Sequence, residues 1–221
     1  MNEEVIVGGV DEAGRGSIIG PLVVAGVSFR KLNISQLRKI GVKDSKALTP
    51  KSRATLFDKI KGLAYSMYIC KVGCSMIDDN VYSRKLNKLE AHIMAHVIKN
   101  LHANTVYVDS CDVNPIRYRN EIMSWLPGAD LDVHSMHHAD RTSLVVSAAS
   151  IIAKIIRDQE VEKIRKSYCN IGSGYPCDNI TMEFIREWLS KHNSAPIFAR
   201  KSWRPLKQML KEIGQYKLSQ F

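Results

Sequence analysis

The sequence predicts an α/β protein built on a mixed five-stranded sheet flanked by helices, with a helical extension at the C terminus. Two apolar segments near the N terminus are separated only by a short glycine-rich turn, so we expect them to pair as antiparallel strands. Further along, short strand patterns alternate with long helical patterns, which is the usual order of parallel strands and their crossover helices. The length of 221 residues fits one domain, or one domain with a small extension.

Five segments have the short, apolar and β-branched character of strands. Two of these segments end in acidic residues. The first is followed directly by Asp11 and Glu12, and the fourth ends at Asp109. The expected strands cover residues 5–10, 21–29, 63–72, 105–109 and 131–136.

Helical patterns fill most of the remaining chain. Thr49 as N-cap and Pro50 at the first helical position mark the start of one helix, and Pro127 with Gly128 stops another. Because few strand signals follow residue 168, we divide the chain into a sheet-bearing domain, 1–168, and a helical extension packed on it, 169–221. The expected helices cover residues 50–60, 78–101, 115–126, 141–167, 181–192 and a last segment from 205.

The composition restricts the class of partner and the compartment. A net charge of +10, from 32 Lys and Arg against 22 Asp and Glu, favours a polyanionic partner such as nucleic acid or an acidic membrane surface. Five cysteines without zinc-knuckle spacing predict reduced thiols, mostly buried, in a cytoplasmic protein. The acidic start lacks the basic region of a signal peptide, and no apolar run reaches the length of a membrane span.

Four acidic residues are candidates for a metal site: Asp11, Glu12, Asp109 and Asp140. The carboxyl ends of neighbouring parallel strands meet at one edge of a sheet, where open α/β sheets place their active sites. Clustered carboxylates repel one another, so cations are expected between them, and two Mg²⁺ ions would activate water and stabilise a leaving oxygen. Taken singly, Asp109 and Asp140 are also compatible with a loop cap and a helix N-cap.

The adjacent pair Asp11 and Glu12 raises a geometric difficulty, because neighbouring strand residues point to opposite faces. Both reach one ion only if the strand leaves its regular register at Glu12, or if Glu12 contributes its carbonyl oxygen as much as its side chain. His138 lies two residues before Asp140, but two metal ions require no histidine base.

Two further stretches indicate binding to a nucleic acid. Gly14, Arg15 and Gly16 form a turn in which two residues lack a β-carbon, so bare main-chain amides can approach a phosphate or sugar. The C-terminal stretch 186–217 holds eight Lys and Arg residues with Trp188 and Trp203 between them. We expect its basic side chains to face outward and its tryptophans to face the core.

Several motifs together resemble one known family, type 2 ribonuclease H (ribonuclease HII), and its archaeal branch in particular. The resemblance covers residues 5–210, nearly the whole chain. Ala13 separates the sequence from the type 3 relatives, which have serine after D-E. The motifs are D-E-A-G-R-G at 11–16, D-S-K at 44–46, Asp109, A-D at 139–140, S-A-A-S-I-I-A-K-I-I-R-D at 147–158, G-S-G-Y-P at 172–176 and K-S-W at 201–203.

The resemblance implies a ribonuclease H-like fold and hydrolysis of the RNA strand of RNA–DNA hybrids. It also implies nicking of duplex DNA 5′ of embedded ribonucleotides, as in ribonucleotide excision during DNA replication and repair, with 5′-phosphate and 3′-hydroxyl products. Two Mg²⁺ or Mn²⁺ ions would be held by the four candidate carboxylates. The implied substrate contacts are Gly14, Arg15 and Gly16 at the 2′-hydroxyl, Tyr175 at the neighbouring deoxyribose, and Lys46 and Asn87 at backbone phosphates.

Two positions depart from the family pattern. Ser17 stands where proline is usual after G-R-G, and His138 stands where lysine is usual before A-D. The second change could make a phosphate contact weaker or pH-dependent. Neither changes a residue of the implied metal site.

Two other functions are compatible with these residues. A non-catalytic nucleic-acid-binding protein would use the acids as structural caps, and a branched-DNA nuclease of the same superfamily would share the sheet. Cleavage of an all-DNA duplex, a duplex with one ribonucleotide and a hybrid would separate the three. We expect a monomer, and contact with a sliding clamp through the short tail, residues 217–221, stays open.

Overall fold

A computed structural model describes residues 5–42 and 50–218. The D-S-K motif, including Lys46, and the expected N-cap Thr49 lie outside the described residues. The strands are β1 (Ile6–Ala13), β2 (Leu22–Arg30), β3 (Ser66–Val72), β4 (Thr105–Asp109) and β5 (Asp132–Met136). The helices are α1 (Ile34–Lys39), α2 (Pro50–Leu63), α3 (Cys74–Tyr82), α4 (Leu86–Lys99), α5 (Pro115–Ser124), α6 (Ala139–Thr142), α7 (Leu144–Tyr168), α8 (Asn179–His192) and α9 (Arg204–Leu218).

The five strands form one mixed sheet in the order β3-β2-β1-β4-β5. β1 pairs with β2 in the antiparallel sense, and β4 is parallel to both β1 and β5. This arrangement confirms the predicted fold class. It also puts β1 and β4 side by side, although some ninety residues separate them in the sequence.

Three predictions of helices and connections were wrong in detail. The expected helix 78–101 is two helices, α3 and α4, separated at Arg84, whose φ of 57° is left-handed. The expected helix 141–167 is interrupted at Ser143, which has extended backbone angles and separates α6 from α7. A short 3-10 helix, Lys31–Asn33, and α1 had no counterpart in the predictions.

The described chain divides into two compact units. The first contains the chain up to Ala13, then Val23–Lys71 and Asn87–Ile156. The second contains Gly14–Leu22, Val72–Leu86 and the chain from Arg157 onward. The predicted division at residue 168 stays a prediction.

In the first unit, both faces of the sheet are covered by apolar clusters. One cluster contains α7 residues such as Val145 and Ile152 together with Val27 and Phe29 of β2. The other contains α4 and α5 residues such as Met94 and Ile122 together with strand valines. Burial of both sheet faces is what a sheet with crossover helices requires.

The second unit has an apolar cluster of its own. Ile18 and Ile19, which follow the glycine turn, pack there with residues of α7, α8 and α9. Among the described cysteines Cys74 is buried, whereas Cys169 and Cys177 are exposed, so the expectation of mostly buried thiols was too broad. No helix within the described residues is long and apolar enough to cross a membrane.

Candidate active site

Two carboxylates lie side by side at the carboxyl ends of neighbouring strands. β1 and β4 run parallel with Val10 opposite Val108, so the next residues, Asp11 and Asp109, occupy matching positions. Residues in matching positions of adjacent strands point to the same face of a sheet. Asp11 is buried and Asp109 is half-buried. The parallel pairing therefore brings two acids from distant parts of the chain to one edge.

The environment of Asp11 opposes its ionisation. Burial is the main cause that raises its pKa to about 7, and the negative charge of Asp109 acts in the same direction. A hydrogen bond with Ser150, the positive charge of Lys154 and the N–H of Glu12, 2.7 Å from Asp11 Oδ1, offset part of this effect. Lys154 Nζ in turn donates to Ser150 Oγ at 2.9 Å. A cation bound beside Asp11 would favour the ionised form further.

Asp140 extends the acidic group. Asp109 Oδ1 accepts a hydrogen bond from the main-chain N–H of Ala139 at 2.9 Å, which ties the end of β4 to the start of α6. Burial raises the pKa of Asp109, and the neighbouring negative charge of Asp140 raises it too, whereas His138 lowers it. The N-cap of α6 is His138, which has a left-handed φ of 55°, so Asp140 does not cap this helix. Asp11, Asp109 and Asp140 form a connected electrostatic group.

Glu12 points away from this group. The pairing of β1 with β2 is regular from Ile6 through Ala13, so the strand does not leave its register at Glu12. Val10 packs in the cluster that contains Tyr118, and strand alternation puts Glu12 on the same face. Burial is the main cause that raises the pKa values of Cys111 and Tyr118, and the charge of Glu12 makes a smaller contribution in the same direction. Of the two expected routes by which Glu12 could reach the ion, the regular register leaves its carbonyl oxygen, and the four-acid site stays a prediction.

The described residues contain no group of three or more Asp, Glu, His or Cys side chains arranged as a complete metal site. The donor chemistry nevertheless fits a hard divalent cation, because Mg²⁺ and Mn²⁺ prefer carboxylate oxygens. Mg²⁺ usually keeps several water ligands and needs only one or two protein carboxylates. Asp11 and Asp109 satisfy that smaller requirement.

The glycine turn is described within the second unit. Gly14 has a φ of 84°, which favours glycine, and its carbonyl accepts a hydrogen bond from the N–H of Ser17 at 3.1 Å. Gly16 is exposed, and no atom lies within 4 Å of the position that a Cβ would take. Its carbonyl accepts from Trp203 Nε1 at 3.3 Å. The main chain at Gly16 is thus accessible, while hydrogen bonds to the carbonyls of Gly14 and Gly16 fix the rest of the turn.

Arg200 fixes the glycine turn from the inside of the protein. This position corrects the expectation that every basic residue of the C-terminal stretch faces outward. Its side chain is buried and donates to the carbonyls of Gly14 at 2.7 Å, Arg15 at 2.9 Å and Gly20 at 3.0 Å. Burial is the main cause that lowers its pKa to about 10. Its guanidinium carbon lies 4.8 Å from the centre of the Trp203 ring.

The remaining predicted contacts have different outcomes. Tyr175 is half-buried, and its ring centre lies 4.3 Å from the guanidinium carbon of Arg157. Asn87 donates to the carboxylate of Asp112 at 3.1 Å, and the same carboxylate accepts from Arg117 at 2.5 Å. Asn87 is therefore already engaged in the network that orders the loop after β4.

Sequence reasoning missed two kinds of supporting residue. Ser150 and Lys154 occur one helical turn apart on α7, and the signal that could have found them is polar residues on an otherwise apolar helix face. Arg157 and Arg200 are buried cations whose acceptors are mostly main-chain carbonyls, which carry no sequence signal.

A mixed sheet with acidic residues at the carboxyl ends of two parallel strands is the arrangement expected of a nuclease with the ribonuclease H-like fold. Comparison with known proteins narrows the class further. A family model described as ribonuclease HII matches residues 8–206, and the chain belongs to this family. It is 47% identical over 201 residues to ribonuclease HII of Cenarchaeum symbiosum, an alignment that covers 91% of this chain and 96% of the relative. The protein is accordingly a metal-dependent endoribonuclease that acts on RNA–DNA hybrids.

Solved structures agree with this assignment. The ribonuclease H2 of Pyrococcus horikoshii has a TM-score of 0.90 and 38% identity, and the match covers 96% of this chain and all of the other. The ribonuclease HII of Archaeoglobus fulgidus, solved in complex with PCNA, has a TM-score of 0.83 and 36% identity, covering 90% of this chain and 96% of the other.

Proposed function

We propose that the protein also nicks duplex DNA 5′ of embedded ribonucleotides, and that it does so with two divalent ions, leaving 5′-phosphate and 3′-hydroxyl ends. The observation that carries the proposal is the parallel register of β1 and β4, which sets Asp11 beside Asp109 at the carboxyl edge of the sheet. No histidine or cysteine is needed as a nucleophile in this scheme, because water attacks the phosphorus.

Asp11, Asp109 and Asp140 would hold the ions, Mg²⁺ or Mn²⁺, together with Glu12 through its carbonyl oxygen or its side chain. When bound, such ions supply an activated water and neutralise charge on the leaving oxygen. Ser150 and Lys154 offset only part of the cost of burying a negative charge on Asp11. A cation beside the carboxylate would offset more of that cost, so Asp11 favours cation binding. Asp109 is oriented by the hydrogen bond that its Oδ1 accepts from the N–H of Ala139.

The glycine turn and Tyr175 would select the cleavage site. A 2′-hydroxyl both donates and accepts hydrogen bonds, and it is the group by which a protein distinguishes RNA from DNA. Main-chain groups of Gly14, Arg15 and Gly16 can match it without reading a base. The Tyr175 ring would pack on the next sugar and disfavour a hydroxyl there. Lys46 and Asn87 would contact backbone phosphates.

The test uses three labelled duplexes: all DNA, DNA with a single ribonucleotide, and a continuous RNA–DNA hybrid. We expect Mg²⁺-dependent cleavage of the last two and none of the first. Asp11→Asn and Asp109→Asn should each lower kcat by at least about a hundredfold while duplex binding stays nearly unchanged. Equal cleavage of the all-DNA duplex, or binding of the duplexes without turnover, would overturn the proposal.

We also propose that the protein works as a monomer and that its C-terminal tail, residues 217–221, contacts a sliding clamp. The support is the PCNA complex of the Archaeoglobus fulgidus relative. Light scattering should give the monomer mass, and titration with PCNA should give a complex. Removal of the tail should abolish that complex, and a truncated protein that binds PCNA unchanged would refute the clamp contact.

A further inference from the structure

Arg157 occupies an unusual position for an arginine, since its side chain is only 5% exposed. It lies in the second unit, where it bridges two chain segments. Nη2 donates to Ser17 Oγ at 2.9 Å and to the carbonyl of Ser173 at 2.6 Å. Ser17 ends the glycine turn, and Ser173 precedes Tyr175 by two residues. One nitrogen therefore connects the two segments that carry the proposed substrate contacts.

The same guanidinium supports the Tyr175 ring. Its carbon lies 4.3 Å from the ring centre, which is close enough for a cation–π contact. Tyr175 is half-buried, so one face of the ring is covered by Arg157 while part of its surface stays accessible. Nη1 is oriented by Asp158 at 3.2 Å. The planar fork of arginine can make these contacts at once, whereas the ammonium of lysine cannot.

Two glycines leave room for this side chain. A Cβ on Gly14 would lie 3.2 Å from Arg157 Cγ, and a Cβ on Gly174 would lie 2.9 Å from its Nη2. Both glycines also have positive φ angles, 84° and 82°. The carbonyl of Gly174 accepts hydrogen bonds from the N–H groups of Ile18 and Ile19 at 2.8 and 3.1 Å. The glycine turn and the loop that contains Tyr175 are thus packed against each other and around Arg157.

We infer that Arg157 is a positioning residue that fixes the Tyr175 ring relative to the glycine turn and so sets the preference for a ribonucleotide followed by a deoxyribonucleotide. This inference rests on the function proposed above for the turn and the ring. Arg157 itself contacts neither sugar. Ser17 Oγ accepts a hydrogen bond from Arg157, and the N–H of Ser17 donates to the carbonyl of Gly14. A proline at this position would have neither the hydroxyl nor the N–H.

The experiment compares kcat/KM on the single-ribonucleotide duplex and on the continuous hybrid, and takes the ratio as the preference. Arg157→Lys should lower the ratio about tenfold, mainly through KM on the single-ribonucleotide duplex. Ser17→Ala should lower it by a smaller factor of about three, because the bond to Ser173 remains. Ser17→Ala also serves if Arg157→Lys fails to fold.

Arg165→Lys is the matched control. Arg165 also lies on α7 and donates to a carbonyl of the same loop, that of Gly172 at 2.8 Å, but it is not paired with Ser17 or stacked on Tyr175. We expect its substrate ratio to equal that of the wild type. An equal fall in the ratio for Arg165→Lys would show that loop stability alone sets the preference, and it would overturn the inference.

A double-mutant cycle with Tyr175→Leu tests whether Arg157 affects the substrate ratio through the Tyr175 ring. Once the ring is gone, Arg157→Lys should lower the ratio no further. An undiminished fall in the Tyr175→Leu background would refute the role of Arg157 in holding the ring. If the wild type itself showed no cleavage at single ribonucleotides, the proposed function would fail first. A wild type that cleaves there and an Arg157→Lys variant with the wild-type ratio would refute this inference alone.

Discussion

Asp11 occupies a position where folding and metal binding make opposite demands. Folding buries its carboxyl beside Asp109 and raises its pKa to about 7, so the ionised form opposes folding. Metal binding requires that ionised form. Such conflicts are typical of functional sites, which give up stability for chemistry. The conflict can be measured because it acts on stability in the absence of metal.

We predict that Asp11→Asn stabilises the metal-free protein at pH 8. A carboxyl whose folded pKa lies above its unfolded value contributes stability below about pH 4, and that contribution is lost as pH rises through about 7. The variant should therefore have a free energy of unfolding about 1–3 kcal/mol higher at pH 8 in EDTA, or a Tm several degrees higher. The difference should shrink at pH 5.

Thermal melts of both proteins at pH 5 and pH 8, with EDTA or with excess Mg²⁺, provide the measurement. Mg²⁺ should raise the Tm of the wild type and leave that of Asp11→Asn nearly unchanged. A variant that is less stable than the wild type at pH 8 in EDTA would show that the charge of Asp11 is well compensated within the protein.

Single residues also show where sequence reasoning stops. Asp11 and Asp109 could be predicted, because an acid at the end of an apolar strand is visible in the sequence. Arg157 and Arg200 could not, because their acceptors are separated from them by 140 and 186 residues and include main-chain carbonyls. Ser17 appeared only as a departure from a family pattern, and its hydrogen bond to Arg157 gives the departure a structural role.

At the scale of elements, the strands were predictable and the helix breaks were not. Apolar runs and the glycine turn specify the strands and the antiparallel pair, because side-chain alternation and turn length limit the pairing. The interruption at Ser143 has no glycine or proline to mark it. It leaves Asp140 on α6, a separate short helix, instead of on α7.

Packing of α7 on β1 should depend on Gly9. A Cβ on Gly9 would overlap the main-chain carbonyl group of Val145, which cannot move aside alone. We predict that Gly9→Ala lowers the free energy of unfolding by at least about 2 kcal/mol, since overpacking forces a shift of the helix. The shift would also move Ser150 and Lys154 relative to Asp11, so kcat should fall as well.

Gly62→Ala is the control for this prediction. Gly62 lies in α2, and no atom is within 4 Å of the position that a Cβ would take there, so alanine should raise stability by up to about 1 kcal/mol. Urea unfolding of both variants gives the comparison. Wild-type stability in Gly9→Ala would mean that α7 and β1 are not closely packed.

The whole molecule carries a net charge of +10, and the exposed basic residues of the C-terminal stretch are candidates for contact with a duplex. Counterion release predicts that binding weakens by about 0.9 log units per log unit of salt for each phosphate contacted. Binding of the Asp109→Asn variant to a hybrid at several salt concentrations gives this slope.

We predict that Lys201→Gln reduces the salt slope by about one phosphate and weakens binding to the hybrid and the single-ribonucleotide duplex equally. Lys61→Gln, an exposed lysine on α2 outside the C-terminal stretch, should leave the slope unchanged. If the two variants behave alike, the charge acts through the general field of the protein and the stretch has no special role.

The central claim is that the parallel register of β1 and β4 creates a divalent-cation site from Asp11 and Asp109. Electron paramagnetic resonance of Mn²⁺ mixed with the protein measures the free ion, so it gives the number of bound ions by difference and requires no substrate. We predict that the wild type binds Mn²⁺ and that Asp11→Asn and Asp109→Asn each weaken binding by at least about tenfold. Mn²⁺ affinity equal to the wild type in both variants would contradict the account.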